Sequence, residues 1–391
     1  MPISWSPEKM HTASEYKLQV YRGPEGFASI RDRWQRLIQR LDSKGFWHYY
    51  EWYESYLEHL EPEPQRLFFF VLFHAQEVVA ILPFKHQRRR FKGVPLNVLE
   101  LPKHAHIKLK DIVFPDAFQT DGAIQALLNG LQRQQLPSWD VIIMHDLLPD
   151  AYALKAFSKM PAARIVEPHD ACDSIPIGSS YDAMKESMSK QLRKSLKVSN
   201  KRAAGLGVLT SSIVRHPGEL EPAFQVFLDL EASGWKGPKG AGTAIRCDPK
   251  LTGFYNSLIQ KYGILNKCEV SLLYLNEHPI AGTFSMLIDG TAYSLKIAYD
   301  EGQANLSPGN LLRERLMVHY AQQQSIRTLN MVSGGSSPWH RRWNITSQTT
   351  YRLYLFNRSP KAQIAFAVKK TKKKIQAALR NRSISAAKEN R

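Results

Sequence analysis

The sequence predicts a mixed α/β (α+β) fold built twice over. Three observations predict it: short strand-like runs joined by turns, amphipathic helical stretches between them, and the same order of elements in both halves of the chain. At 391 residues the chain exceeds the usual size of one hydrophobic core, and 17 Phe, 16 Tyr and 8 Trp supply bulk for two.

The first half opens with a helical pattern through Phe27, Ile30, Trp34, Leu37 and Leu41, then an aromatic-rich helix over 48–59. Strands are expected at 67–74 and 77–83, a basic turn at 87–92, a strand at 96–101, a helix at 123–134 and a strand at 139–145. A helix over 181–204 follows, with Ser179 and Ser180 as caps and Gly205 and Gly207 as stops. Its polar face carries Lys185, Lys190, Arg193, Lys194, Lys197, Lys201 and Arg202, so it reads as a solvated basic helix joining two halves. The second half then gives helices at 218–233 and 248–262 and strands at 268–276, 279–288 and 291–299. Asp289-Gly290 is a strong hairpin signal between the last two. A polar loop, a helix over 308–323, a strand at 327–332 and a closing strand at 349–357 complete it. The expected domains are 1–175, a linking helix 176–207, a second domain 208–358 and a basic tail 359–391.

Composition narrows the class. No run approaches the roughly 18–20 apolar residues that span a bilayer, and the N-terminus does not look like a signal peptide. Cys172, Cys247 and Cys268 are scattered, which suggests a reducing compartment, a cytoplasmic location and no disulfide or zinc framework. The net charge is +18, of which the segment from Lys361 to Arg391 holds about +9. Membrane head groups, nucleic acid and the phosphates of a cofactor are all anionic partners for such a chain. The tail is amphipathic if helical, with Ile364, Phe366, Ala367, Ile375 and Leu379 partly sharing a face. It reads either as a helix that touches an anionic membrane peripherally or as a frayed solvated tail, with nucleic acid the lesser prospect.

The stretch YSLKIAYDEGQANLSPGNLLRERL, 293–316, carries the most chemistry. A strand leads into a loop that opens a helix at Ser307, Pro308, Gly309 and Asn310. Ser307 is a natural N-cap, Pro308 suits the first helical position, and Gly309 leaves room for a ligand. The first turn of such a helix offers amide groups and a positive dipole end to a pyrophosphate; a plain, well-capped helix is the alternative.

Several phrases resemble the GNAT acyltransferase superfamily, in the branch typified by the cellulose-biosynthesis protein CelD: SGWKGPKGAGTAI (233–245), LKIAYDEGQANLSPGNLL (295–312) and GGSSPWHRRWN (334–344). FWHYYEWYESYLEHL, VVAILPF and the segment SIPIGSSYDAMKESMSKQLRKSLK also fit, and the similarity spans most of residues 20–355. The resemblance implies two tandem GNAT-like domains with mixed central sheets, the second holding an acyl-CoA donor in a gap between splayed strands. Fem-type aminoacyltransferases share the double fold but use aminoacyl-tRNA. Two departures stand out. The family's Tyr-Lys-x-x-Trp reads Trp339-His340-Arg341-Arg342-Trp343 here, so His340 replaces the Lys, and the tail after about Ser359 has no family counterpart.

On this reading Ser307, Pro308, Gly309, Asn310, Leu311 and Lys236 bind the cofactor, with Lys239 a second cation in the same glycine-rich loop. Trp235, Lys296, Trp339, Arg341 and Arg342 contact the acceptor, unless they serve as core plug, solvent-facing lysine and structural ion pairs. His340 is the expected proton acceptor, unless it is a loop histidine stacked between Trp339 and Trp343; Tyr299 is the acid for the leaving thiolate, and Asp300 a second base or a turn residue. His104, His106 and Asp111 resemble a metal cluster only superficially, because supporting ligands are missing, and there is no nucleophile-elbow motif. The expected function is acyl-CoA-dependent N-acyl transfer to an amine of an envelope polysaccharide or lipid precursor, an amino sugar among the candidates. Fem-like transfer from charged tRNA and a non-catalytic GNAT-fold scaffold are the alternatives.

Overall fold

The computed structural model describes residues 15–91, 93–334 and 340–372, the side chains of residues 340 and 341 excepted. Close contacts divide these residues into two compact units. Unit 1 comprises the described residues up to Asp42, Glu63–His169, and those from Thr350 onward; unit 2 comprises Ser43–Pro62 and Asp170–Thr349. Both are discontinuous in sequence, where the sequence suggests contiguous stretches.

Unit 1 contains strands β1 (Tyr16–Arg22), β2 (Leu67–His74), β3 (Glu77–Phe91), β4 (Val94–Glu100) and β5 (Val141–Leu147), with the part of β12 (Thr346–Phe356) from Thr350 on beyond β5. β1 to β4 form an antiparallel run, β4 and β5 are parallel, and β12 returns antiparallel to β5. Helices α1 (Gly23–Ser29) and α2 (Arg31–Ile38) cover the run: Phe27 stacks on Phe69 of β2 at a ring distance of 5.0 Å, and Trp34 meets the same ring edge-on at 6.0 Å. Helix α4 (Asp121–Arg133) joins β4 to β5, and α5 (Tyr152–Ser158) follows.

Unit 2 begins with α3 (Tyr50–His59), the aromatic helix of the first half. Trp52 packs edge-on to Phe254 of α9 (Pro249–Ile264) at 5.3 Å, the Tyr262 hydroxyl donates to the Phe46 carbonyl at 2.7 Å, and Lys261 pairs with Glu54 and Glu58. These contacts hold the aromatic face of α3 in this unit. The sheet runs in the order β6, β11, β10, β9, β8, β7, formed by the end of β6 (Arg164–Pro176), β7 (Leu209–Val214), β8 (Cys268–Leu275), β9 (His278–Ile288), β10 (Thr291–Tyr299) and β11 (Thr328–Asn330). Within this sheet only β10 and β11 are parallel among the described pairs, and α10 (Pro308–Gln323) joins them. The Asp289-Gly290 turn has φ of 46° and 77°, the left-handed pair that a tight hairpin requires. Helix α8 (Pro217–Ser233) lies between β7 and α9 in the chain.

Both units therefore repeat one order: strand, helices, three antiparallel strands, helix, parallel strand. The basic helix expected over 181–204 is two helices, α6 (Tyr181–Ser187) and α7 (Lys190–Leu206). The break lies at Met188–Ser189, where the Ser189 hydroxyl accepts from Leu192 N and starts α7 afresh.

The expected free basic tail helix is replaced, in its described part, by a docked one. A helix over 360–372 buries Ala362 and Ala365 in unit 1, while Phe366 packs on Phe356 at 5.3 Å. Lys369 pairs with Glu167 and stands over the Tyr354 ring at 4.0 Å, so it is not free for a membrane; Ile364 is 53% exposed. Residues 373–391, with Lys373, Lys374, Ile375 and Leu379, lie outside the described residues. Among the described residues no helix is long and apolar enough to cross a membrane.

Candidate active site

The site is built on β10. Its pairing with β11 covers only Thr291–Tyr293, after which β11 ends and β10 runs on alone. On the other edge β10 stays paired with β9, with a bulge between Ser294 and Lys296. A bulge slips the side-chain alternation by one residue and re-aims the side chains beyond it. Asp300 N donates to Ile280 O, which fixes the phase of that ladder. The amides of Ala298 and Lys296 then face β9, while those of Ile297 and Tyr299 point into the gap left by β11.

A cavity of about 330 Å³ opens on one side of this gap. Thr283, Ser294, Ile297, Leu316 and Met331 line its apolar body, and the turn from Ser307 to Asn310 forms one wall. The first turn of α10 is unsealed for a reason the sequence did not reveal. Ser307 stands at the N-cap, but in the left-handed region (φ 50°, ψ 54°), and its hydroxyl caps nothing, contrary to its expected role. Only its carbonyl serves the helix, accepting from Asn310 N at 2.9 Å and Leu311 N at 3.2 Å. Pro308 has no N–H, and the Gly309 N–H has no partner among the described residues. A side chain at Gly309 would meet nothing within 4 Å. One open amide thus faces the cavity at the positive end of α10.

Asn310 holds the turn in place, its Oδ1 accepting from the Trp343 indole at 3.3 Å. Leu311, expected to bind the cofactor, is instead 1% exposed in the core; Leu312 and Leu316 line the cavity. Arg313, which sequence reasoning missed, also lines it, stacked over Trp343 at 5.3 Å, and burial brings its guanidinium down to about 10. Tyr299 sits at the rim, 43% exposed. Asp300 is engaged elsewhere: one carboxylate oxygen accepts from Gly302 N at 2.9 Å, capping the turn 301–306, and the other lies 3.5 Å from His278.

A polar cluster occupies the α8 side of β10. The buried Glu231 carboxylate accepts from Lys236 Nζ at 3.2 Å and from Ile245 N at 2.9 Å. Lys236 Nζ also donates to the Ile297 carbonyl at 3.2 Å, so it reaches the open edge of β10. Lys296 lies over the Tyr255 ring at 5.6 Å. Burial and the Lys236 charge lower its pKa to about 8 against the opposing pull of Glu231. The glycine-rich loop is a knot of turns: Ala241 N bonds Trp235 O at 2.6 Å, and Thr243 N and Ala244 N bond Lys236 O at 2.8 Å. Trp235 is exposed, with its backbone N–H on Glu301 at 3.2 Å, and Lys239 is exposed. The structure thus gathers Lys236, Lys296 and Glu231 at one face of β10, and Ser307 to Asn310 with Tyr299 at the other. Arg342 accepts from Ser189 N through its carbonyl. Trp339 and the side chains of His340 and Arg341 lie outside the described residues.

Glu231 was legible as an acid on the apolar face of α8, four residues after Phe227. Ser294 was not, because its direction depends on the bulge. Unit 1 has no comparable gap among its described residues. Past Glu100, where β4 ends, the segment 101–113 runs beside β5, burying Ile107 and Leu109 and bonding Lys110 Nζ to Asp146 at 2.6 Å. In this segment the His104 and His106 rings stand 5.6 Å apart, and the Asp111 carboxylate accepts three amides, from Ile112, Tyr152 and Ala153.

A gap beside a bulged strand, roofed by an open helix start, gives this part of the chain a GNAT-like fold. Residues 190–341 match the family described as an acetyltransferase (GNAT) domain, which covers less than half of the chain and leaves the CelD-like branch unresolved. No curated protein matches in sequence. Among solved structures the chain resembles FemX at 12% identity and a TM-score of 0.57, covering 86% of this chain and 98% of that one. It resembles the C-terminal domain of a putative lysylphosphatidylglycerol synthetase from Agrobacterium fabrum at 12% identity and 0.51, covering 86% and 95%. L-PGS from Bacillus licheniformis matches at 11% identity and 0.51, covering 90% and 98%. At such identities the likeness is one of fold.

Proposed function

We propose that the chain is an acyl-CoA-dependent N-acyltransferase acting on an amine. The observation that carries the reading is the cavity between β10 and the open start of α10. It fits an apolar thioester arm, with the Gly309 amide and the α10 dipole available to a diphosphate. A bound thioester supplies the electrophilic carbonyl. The chain's own groups supply the rest. The gap-facing amides of Ile297 and Tyr299 are placed to stabilise the carbonyl oxygen as charge develops there. Lys296, neutral above about 8, and Glu231 lie on the opposite face and suit an incoming ammonium that must lose its proton. Transfer then forms the C–N bond and breaks the C–S bond, and Tyr299 at the rim can return a proton to the thiolate. His340 remains a further candidate base. The acceptor is best sought among amino sugars and amine-bearing envelope precursors, following the sequence resemblance.

A Fem-like transfer from charged tRNA is the competing reading, and the FemX-like fold favours it. Calorimetry with acetyl-CoA and longer acyl-CoAs tests the first, with free-thiol release as the turnover readout. Micromolar binding of a thioester that competes with free CoA is the expected result. Absence of any thioester binding, together with tRNA retained at moderate salt, overturns it.

A further inference from the structure

Helix α7 carries six cations, Lys190, Arg193, Lys194, Lys197, Lys201 and Arg202, and no acid. Its buried residues Leu192, Leu196, Ser199 and Ala203 form a stripe facing the core of unit 2. At about 100° per residue, Lys190, Lys194, Lys197 and Lys201 fall within a narrow strip on the opposite side. All four are exposed, and none of the six cations makes an ion pair among the described residues. Glu314, the acid that α10 presents to this helix, is taken up by the Tyr181 hydroxyl at 2.5 Å and Asn200 Nδ2 at 2.8 Å. Arg202 donates to the Asn305 carbonyl at 3.3 Å, and its charge stays unneutralised.

Exposed aliphatic groups accompany the cations. Val198, Leu206 and Val208 are 37%, 55% and 68% exposed. Val198 and Leu206, with Lys201 and Arg202, line an open groove whose far wall is Asn305 and Leu306, the residues just before Ser307. We infer that the exposed side of α7, together with this groove and Val208 at its C-terminal end, docks on an anionic lipid membrane. Charge complementarity selects a polyanionic partner, and the aliphatics select lipid. A phosphate backbone gains nothing from Leu206 and Val208, whereas the boundary between head groups and acyl chains takes both kinds of side chain at once. Docking at α7 stands independently of which donor the cavity takes.

The test is co-sedimentation of the full chain, tail included, with vesicles of phosphatidylcholine alone and with added phosphatidylglycerol. Binding is expected only with the anionic lipid. Replacing Lys194, Lys197 and Lys201 together by Gln should weaken it by roughly tenfold or more, and so should the pair Leu206→Ser and Val208→Ser, with thermal unfolding unchanged. Wild-type-like vesicle binding by the lysine variant would place the contact elsewhere and overturn the inference. Loss with the lysine variant but not with the serine pair, alongside competition by duplex RNA, would reassign the face to a polynucleotide and overturn it equally.

Discussion

Lys296 keeps most of its side chain out of water beside Glu231 and Lys236, and that placement sets a pH dependence. Its pKa in the folded chain is about 8, below the ordinary lysine value of 10.5. Between those values the unfolded chain binds more protons, so this group makes stability rise with pH from about 8 to 10.5, and its full cost applies below 8. As the proton acceptor, Lys296 gives a rate that rises with pH through about 8; Lys296→Met should abolish that limb and cut turnover by about a hundredfold or more. A flat wild-type profile would remove Lys296 from the reaction. Gly309 offers a sharper probe of the proposed donor cavity. Because a side chain there meets nothing within 4 Å, Gly309→Leu should leave the melting temperature unchanged and weaken thioester binding about tenfold or more, read by calorimetry.

The bulged β10, the early end of β11 and the unsealed α10 together make one opening, and α8 closes its back. Glu231 links that back wall to the proposed chemistry by bonding Lys236 and the Ile245 amide. Glu231→Ala strands Lys236 and frees a buried amide; discounted for the partial exposure of Lys236, the cost is about 2 kcal/mol in urea unfolding. Glu231→Gln keeps a group for Ile245 but removes the charge that raises Lys296, so the rate limb should move below 8. An unmoved limb would show that Glu231 does not act through Lys296. This coupling was only half legible. Lys236, Lys296 and the Ser307–Asn310 turn stand out as motifs, whereas Ser294 and Arg313 become site residues through a bulge and a cavity that no spacing reports. The expected Ser307 cap and Leu311 contact followed ordinary helix rules; the left-handed Ser307 backbone and the packing of α10 overrode them.

Unit 1, whose corresponding slot is filled, makes its own prediction. Burial and the nearby Lys110 hold His145 neutral, down to about 3, in a cluster with Glu100, Asp146 and His169. A histidine that stays neutral when folded lets the unfolded chain take up its proton first. Stability is therefore retained above about 6.5 and lost as pH falls from there toward 3. Melting followed from neutral to acid pH should show this loss, and His145→Phe should reduce its slope; an identical slope would assign acid sensitivity to other groups.

Over the whole chain, local pattern passed over β1, α5, β6 and β7 and read 87–92, where β3 runs on to Phe91, as a turn, but it was enough for the type and order of most other elements: alternation and helical spacing depend on near neighbours, and the Asp289-Gly290 hairpin carries its geometry in two residues. It was not enough for ownership. That α3 belongs to unit 2, that the start of the tail packs in unit 1, and that one strand gap stays open while the other is filled by Lys110 all depend on contacts between residues far apart in sequence. Such contacts are chosen by which buried faces complement each other, a property that no single segment contains.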